Sequence, residues 1–291
     1  MIGRMLLLVL TALCATILTA PVAAAAPEAV CGTAFGAGEY ADLVAWSDTA
    51  TLAGPPLERL ETAVERHHRI SETLVRHGDR RGVFTLGLDA VEQRAVMPLQ
   101  RDPAAFADPD WAHRISLDLL SRFLDNLHGE LTGGPVDPQW AHYFALTRQC
   151  ELSAARVAMA GYNAHLAVDL AYAVAATGAT VANAGDHFLI VDAIARHGSL
   201  IVDGTREVYG GDLGPLWRFY FVGEGLDRVL GAGVGSGALL RAADAGANVL
   251  IFGNGLALQD PATAPAARAE IDALWRADDA AFEVLARLGG L

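Results

Sequence analysis

The densest run of chemically capable side chains is Asn163-Ala164-His165-Leu166-Ala167-Val168-Asp169. On an α-helix a spacing of four puts His165 and Asp169 one turn apart on a common face, with Cβ atoms about 5–6 Å apart. An imidazole and a carboxylate so placed can grip one divalent cation, zinc above all, or the carboxylate can orient the imidazole as a general base. The same pair can instead be a buried hydrogen bond that locks helix register. Ala160, Leu166, Val168 and Leu170 surround it, and an ionised group in such company needs a partner.

A metal would need further ligands, and Asp118, His187 and Asp192 are the candidates from neighbouring helices. Each has a plainer role. Asp118 can pair with Arg122, and Asp192 with Arg196, as i,i+4 surface ion pairs, while His187 can sit exposed beside a helix start. His142 precedes His165 by about 35 Å on an unbroken helix, so it joins the site only if that helix breaks. His67, His68 and His77 fall on an arginine-rich helix and read as a solvated face. Adjacent His67 and His68 point about 100° apart, so they do not chelate together.

Other templates are absent. The chain has no His-Glu-x-x-His and no Cys-x-x-Cys. Ser236, within Gly233-Val234-Gly235-Ser236-Gly237, has the wrong spacing for a nucleophile elbow. The same run contains Gly-x-Gly-x-x-Ala but follows no strand, so close helix packing or a loop explains it better than a nucleotide site.

The elements that must carry these residues are helices. From Pro56, apolar positions Leu57, Leu60, Val64, Ile70, Leu74 and Val75 recur at helical spacing until Gly78. Asp108-Pro109 opens a second helix, which Gly133-Gly134-Pro135 ends. Asp137-Pro138 opens a third, and the absence of Gly and Pro from Gln139 to Ala160 predicts a continuous helix running on to Thr177. A further helix starts at Asp186 and reaches Arg196. Two apolar helices follow, around Leu216–Leu230 and Leu239–Phe252, and an amphipathic one carries Ile271, Leu274, Trp275, Phe282, Leu285 and Leu288. Residues 27–54 look irregular, and Val83–Leu88 reads as one short strand, which alone makes no sheet. The fold class is all-α, a single globular multi-helix domain over residues 55–291, without βαβ alternation.

At the N-terminus, Arg4, the apolar stretch Met5–Thr19 and the small-residue run Ala23–Ala26 follow the pattern of a signal peptide cleaved after Ala25. Residues 1–25 are therefore expected to be lost, followed by an irregular segment over 26–54, and the remainder to act in a secreted or cell-envelope location. No later segment reads as a transmembrane anchor: Asn163, His165 and Asp169 interrupt one apolar stretch, and Arg241, Asp244 and Asn248 another. The net charge of −13 argues against nucleic acid as a partner, because phosphate contacts need a basic patch. Of three cysteines, Cys14 leaves with the leader. Cys31 and Cys150 then form an even pair in an oxidising compartment, where a bridge would tie the new N-terminus to a central helix.

The middle of the chain resembles family 5995 of unknown function, a bacterial family common in actinobacteria. Its Ala-Gly-Met-Asn-Ala-His-Ile-Asn-x-Asp-Leu-Pro pattern is matched by Ala160 to Leu166 and by Asp169-Leu170. Tyr162 stands for Met, Ala167 for the second Asn and Ala171 for Pro. Phe106-Ala107-Asp108, Leu117-Asp118, Trp140 and Phe144 look like further family positions, and the likeness spans roughly residues 57–255. Downstream, His187 and Asp192 stand where the family pattern has Asp and Asn, which puts any shared chemistry there in doubt. The resemblance implies an all-helical fold and no established activity. The His-x-x-x-Asp spacing is also weakly similar to zinc-dependent phospholipases C and nucleases.

Two functions remain in contention. The first is an exported, non-catalytic helical protein that binds a small apolar ligand or an envelope partner. The second is a metal-dependent hydrolase of phosphoesters or lipid esters, with His165 and Asp169 as ligands, Asp118, His187 or Asp192 completing the shell, and Asn163 beside them.

Overall fold

The computed structural model describes residues 29–213 and 234–291, with side chains in the second stretch from residue 246 onward. Among the described residues every regular element is helical: α1 Ala37–Ser47, α2 Pro56–His77, α3 Gly82–Val91, α4 Met97–Gln100, α5 Pro109–Thr132, α6 Pro138–Thr147, α7 Ala154–Asn163, α8 Leu170–Ala176, α9 Ala184–Arg196, α10 Gly198–Tyr209, α11 Val234–Ala257 and α12 Ala264–Arg287. Two π-helical turns are inserted, π1 Glu92–Val96 after α3 and π2 Ala164–Asp169 after α7.

Local chemistry explains most helix ends. Pro56 starts α2, and Gly78, at φ +63°, closes it by giving its N–H to the carbonyls of Leu74 and Val75. Asp108 caps α5 by accepting the Trp111 N–H at 3.0 Å, with Pro109 in the first turn. The α2 stripe Leu60, Val64, His67, Ile70 and Leu74 is buried, and α2 packs on α1, α3 and α5.

Three expectations change. The stretch before Pro56 is not irregular throughout: α1 lies on α2 and α5, and Phe35 and Leu43 enter the core. Val83–Leu88 is helix, not strand. Because α3 packs against α2, α7 and α10, most of its residues are buried, and a short, mostly apolar run carries no period that separates the two states. The long helix expected from Gln139 to Thr177 breaks over residues 148–153. There Ser153 accepts the Arg156 N–H and starts α7 afresh, and Arg80 holds the loop through the carbonyls of Cys150 and Leu152. The apolar helix expected at Leu216–Leu230 lies outside the described residues.

Packing forms two apolar clusters. The larger joins α1, α2, α3, α5, α6, α7 and α10 around Phe84, Phe123, Trp140 and Tyr143. The smaller joins α5, α8, α9, α11 and α12 around Trp111, Ile115, Val174, Ile190, Phe252 and Ile271. Where α3 crosses α7, a Cβ on Gly161 would lie 2.8 Å from Phe84 Cβ, so only glycine admits this approach. None of the described helices is long and apolar enough to cross a membrane.

Cys31 and Cys150 are joined in a disulfide. The bridge ties the N-terminal segment to the α6–α7 loop rather than to a helix. It closes a sequence separation of 119 residues, for which the chain-entropy relation gives about 5 kcal/mol. Cys31→Ser should therefore lower the midpoint of chemical denaturation under non-reducing conditions by several kcal/mol of stability, and an unchanged midpoint would refute that role. Gly161→Ala should cost about 1–2 kcal/mol, since overpacking against a buried ring outweighs the better helix propensity; a gain in melting temperature would contradict the close packing.

Candidate functional site

The seam between the two clusters holds a cavity of about 290 Å³. Leu88, Ile115, Met159, Ile190 and Ile201 contribute to its apolar wall, and α11 and α12 complete it with Asn248 and Phe282. Five polar side chains line it: Ser116 from α5, Tyr162 from α7, His165 from π2, His187 from α9 and Asn248 from α11. The Tyr162 hydroxyl, His165 Nδ1 and His187 Nε2 are buried without a hydrogen-bond partner. That is unusual, because buried polar atoms nearly always find one.

Burial sets the protonation of these groups. It drives His165 down to about 3, with the nearby His67 adding to the effect, and His187 down to about 4. Both imidazoles are neutral at pH 7, each with one donor and one acceptor nitrogen. Burial also raises the Tyr162 phenol, which therefore keeps its proton. Among the described residues the cavity lining is thus uncharged and apolar in bulk, and Tyr162, His165 and His187 each offer it a hydrogen-bonding atom.

His165 and Asp169 are not joined to each other. The Leu170 N–H donates to the His165 carbonyl five residues back, so the chain between them makes a widened π turn rather than an α turn. His165 lines the apolar cavity, while Asp169 lines a second, more polar one of about 380 Å³ with Arg122, Asp137 and Arg268. Asp169 accepts Gln139 Nε2 at 3.1 Å and Trp140 Nε1 at 2.8 Å. Burial raises its carboxyl to about 7 despite these donors.

The other residues expected at a site scatter. Asn163 donates to the Trp275 carbonyl at 2.8 Å, tying α7 to α12. Asp118 pairs with Arg122 at 2.7 Å and Asp192 with Arg196, both i,i+4 on half-open surface. His187 is 2% exposed rather than open beside its helix start. The helix does break between His142 and His165, yet His142 Nε2 lies 3.0 Å from Asp279 instead.

The histidines of α2 depart furthest from expectation. His67 is fully buried, not on a solvated face. Its Nδ1 lies 2.6 Å from Glu92 Oε2, and His68 Nδ1 lies 2.9 Å from Asp89 Oδ2. Among the described residues, His67, Asp89 and Glu92 form the one group of three whose donor atoms all fall within 4.8 Å of one another. The sequence carried a signal for it: Asp89 and Glu92 stand three apart, so they share a face in a helix. The strand expected at Val83–Leu88 ends just before the pair, and no helix was expected over residues 89–92 to bring it out.

Residues 60–212 match the model described as Family of unknown function (DUF5995), more than half of the chain, so the chain belongs to that family. The match stops short of the stretch to residue 255 that the motif resemblance suggested. No curated protein and no solved structure matches the chain.

The neutral histidines make acid stability informative. Free imidazole titrates near 6.5, so between about pH 6.5 and 4 the unfolded chain binds protons that the folded one refuses. Stability from these groups is complete above that window and is lost as pH falls through it. Glu92 and Asp169, raised by burial, act in the opposite sense in wild type and variant alike. Urea denaturation across pH 4–7 should therefore show a shallower acid loss for His165→Leu/His187→Leu than for wild type; parallel profiles would exclude burial of two neutral imidazoles.

Proposed function

We propose that this DUF5995 member is a non-catalytic binding protein that takes a small, mainly apolar molecule into the cavity between its two core clusters and works outside the cytoplasm. The observation that carries the reading is a partly open apolar cavity in which Tyr162, His165 and His187 present buried polar atoms without partners among the described residues. A ligand with one hydroxyl, carbonyl or similar group would satisfy one of those atoms while its remainder replaces water or empty space along the wall. The volume suits a compact ligand: a cavity of about 150 Å³ accepts one benzene, and this one is about twice that.

Catalysis has less support. His165 lacks the carboxylate that would orient it as a general base, and a hydrolytic metal centre on His165 and Asp169 would need side chains that line different cavities to share an ion. Export is supported by the leader-like N-terminal pattern and by the Cys31–Cys150 bridge, since structural disulfides belong mainly to oxidising compartments.

Titration calorimetry with 2-naphthol and naphthalene tests the reading. Both should bind with one site, naphthol more tightly by roughly three- to tenfold, the worth of one hydrogen bond of about 1 kcal/mol. Ile190→Trp, which takes up part of the cavity, should weaken both at least tenfold, and His165→Leu should reduce the preference for naphthol. Absence of heat with either compound, or binding indifferent to Ile190→Trp, would overturn the assignment.

A further inference from the structure

The buried contact between α2 and the end of α3 holds a second constellation that ligand binding in the apolar cavity does not use. Glu92 begins π1, where the Met97 N–H reaches back five residues to the Glu92 carbonyl. Asp89 lies one turn earlier, three residues before it, so the two carboxylates share a face of the helix. Both are buried, Asp89 at 9% and Glu92 at 5% exposure. Burial raises the Glu92 carboxyl, and the nearby charge of Asp89 raises it further, against the opposing pull of His67.

Two carboxylates in this position need positive charge, and α2 supplies no arginine to them. It supplies imidazoles. His67 faces Glu92 and His68 faces Asp89, so adjacent residues that cannot meet one another each reach one member of the carboxylate pair. The outcome is one imidazole and two carboxylates whose donor atoms all lie within 4.8 Å of one another, with a second imidazole against Asp89. We propose that His67, Asp89 and Glu92 bind one divalent transition-metal ion, of which zinc is the reference case, and that His68 stands outside the ligand set and positions Asp89 through its contact with that carboxylate. Metal–ligand bonds of about 2.0–2.2 Å place donors on one ion roughly 3–4 Å apart, a spacing that the three donor atoms, all within 4.8 Å of one another, can reach with small side-chain shifts.

Mixed imidazole and carboxylate donors favour zinc, manganese or iron over magnesium, which retains water and prefers oxygen ligands. A route in exists: the His68 side chain is 38% exposed, and its Nε2 lies 3.5 Å from Glu72, itself 60% exposed. Metal ligands bind in their deprotonated forms, so affinity should rise with pH.

The test uses the full chain, stripped with chelator and titrated with Zn²⁺ alone, with Mg²⁺ as the counter-probe. One equivalent of Zn²⁺ should bind and raise the melting temperature, while Mg²⁺ at the same concentration should do neither. Asp89→Asn should weaken Zn²⁺ binding at least tenfold, and His68→Gln, at an exposed position that leaves the core intact, should also weaken it measurably. His77→Gln, at the far end of α2, should bind like wild type. Less than a tenth of an equivalent bound by wild type would overturn the site. So would affinity unchanged in His68→Gln together with either unchanged affinity or failure to fold in Asp89→Asn, and so would loss of the bound zinc in His77→Gln.

Discussion

Much of the interior is organised by the contact of Phe84 with Gly161. The ring lies so close to α7 that no Cβ fits between them, and α3 and α7 cross at that point. From there Phe84 meets Phe123, Trp140, Tyr143, Tyr162 and His165 at centroid separations of 5.0–6.2 Å. Edge-on aromatic contacts of this kind are directional, so the hub fixes the direction of α7 as well as its distance. Tyr162 and His165 follow Gly161 by one and four positions, and both are placed by the contact. Gly87 repeats the device on the other helix, since a Cβ there would meet the Tyr162 hydroxyl at 1.9 Å.

Helix termini were legible wherever a residue with a single backbone preference stood at the boundary. Asp108-Pro109 and Gly78 announced themselves because a capping carboxylate, a fixed φ and a left-handed turn are local properties. The break before Ser153 was less visible: its capping oxygen competes with a sequence otherwise free of helix breakers, and the loop is held by Arg80 and a disulfide from far along the chain. The segment Val83–Leu88 was ambiguous for the opposite reason, since burial by three neighbours erases the period that identifies a helix. His67 was misplaced because α2 is highly charged as a whole, and average polarity conceals a single buried stripe.

The pair His165 and Asp169 shows where an ideal helix misleads. Spacing alone put them on one face, but the chain between them is a π turn, and Asp169 is committed to Gln139 and Trp140. Both π turns begin at or beside a chemically capable residue, Glu92 in one case and His165 in the other. Such turns recur at functional sites, and here each follows a helix whose packing is already fixed. For π1 a local cause is visible: Pro98 would press on the carbonyl four residues earlier in a regular α-helix, and the wider turn before it relieves that contact.

Charge is sorted in the molecule by what each helix can offer its neighbour. Around the apolar cavity no carboxylate among the described residues pairs with His165 or His187, and desolvation leaves them neutral. Between α2 and α3 the carboxylates face imidazoles directly, and the arrangement can hold a cation. These two environments fall largely within the stretch shared with the family, residues 60–212. The walls that finish them do not. Asn248 and Phe282, from α11 and α12, close the cavity, and the Trp275 carbonyl fixes Asn163. Arg156, almost wholly buried on α7, anchors α12 through Asp279. The shared segment therefore supplies the polar groups, whereas the shape of the cavity they address depends on helices beyond it. A change in α11 or α12 can alter the shape of the cavity without disturbing the histidines that line it.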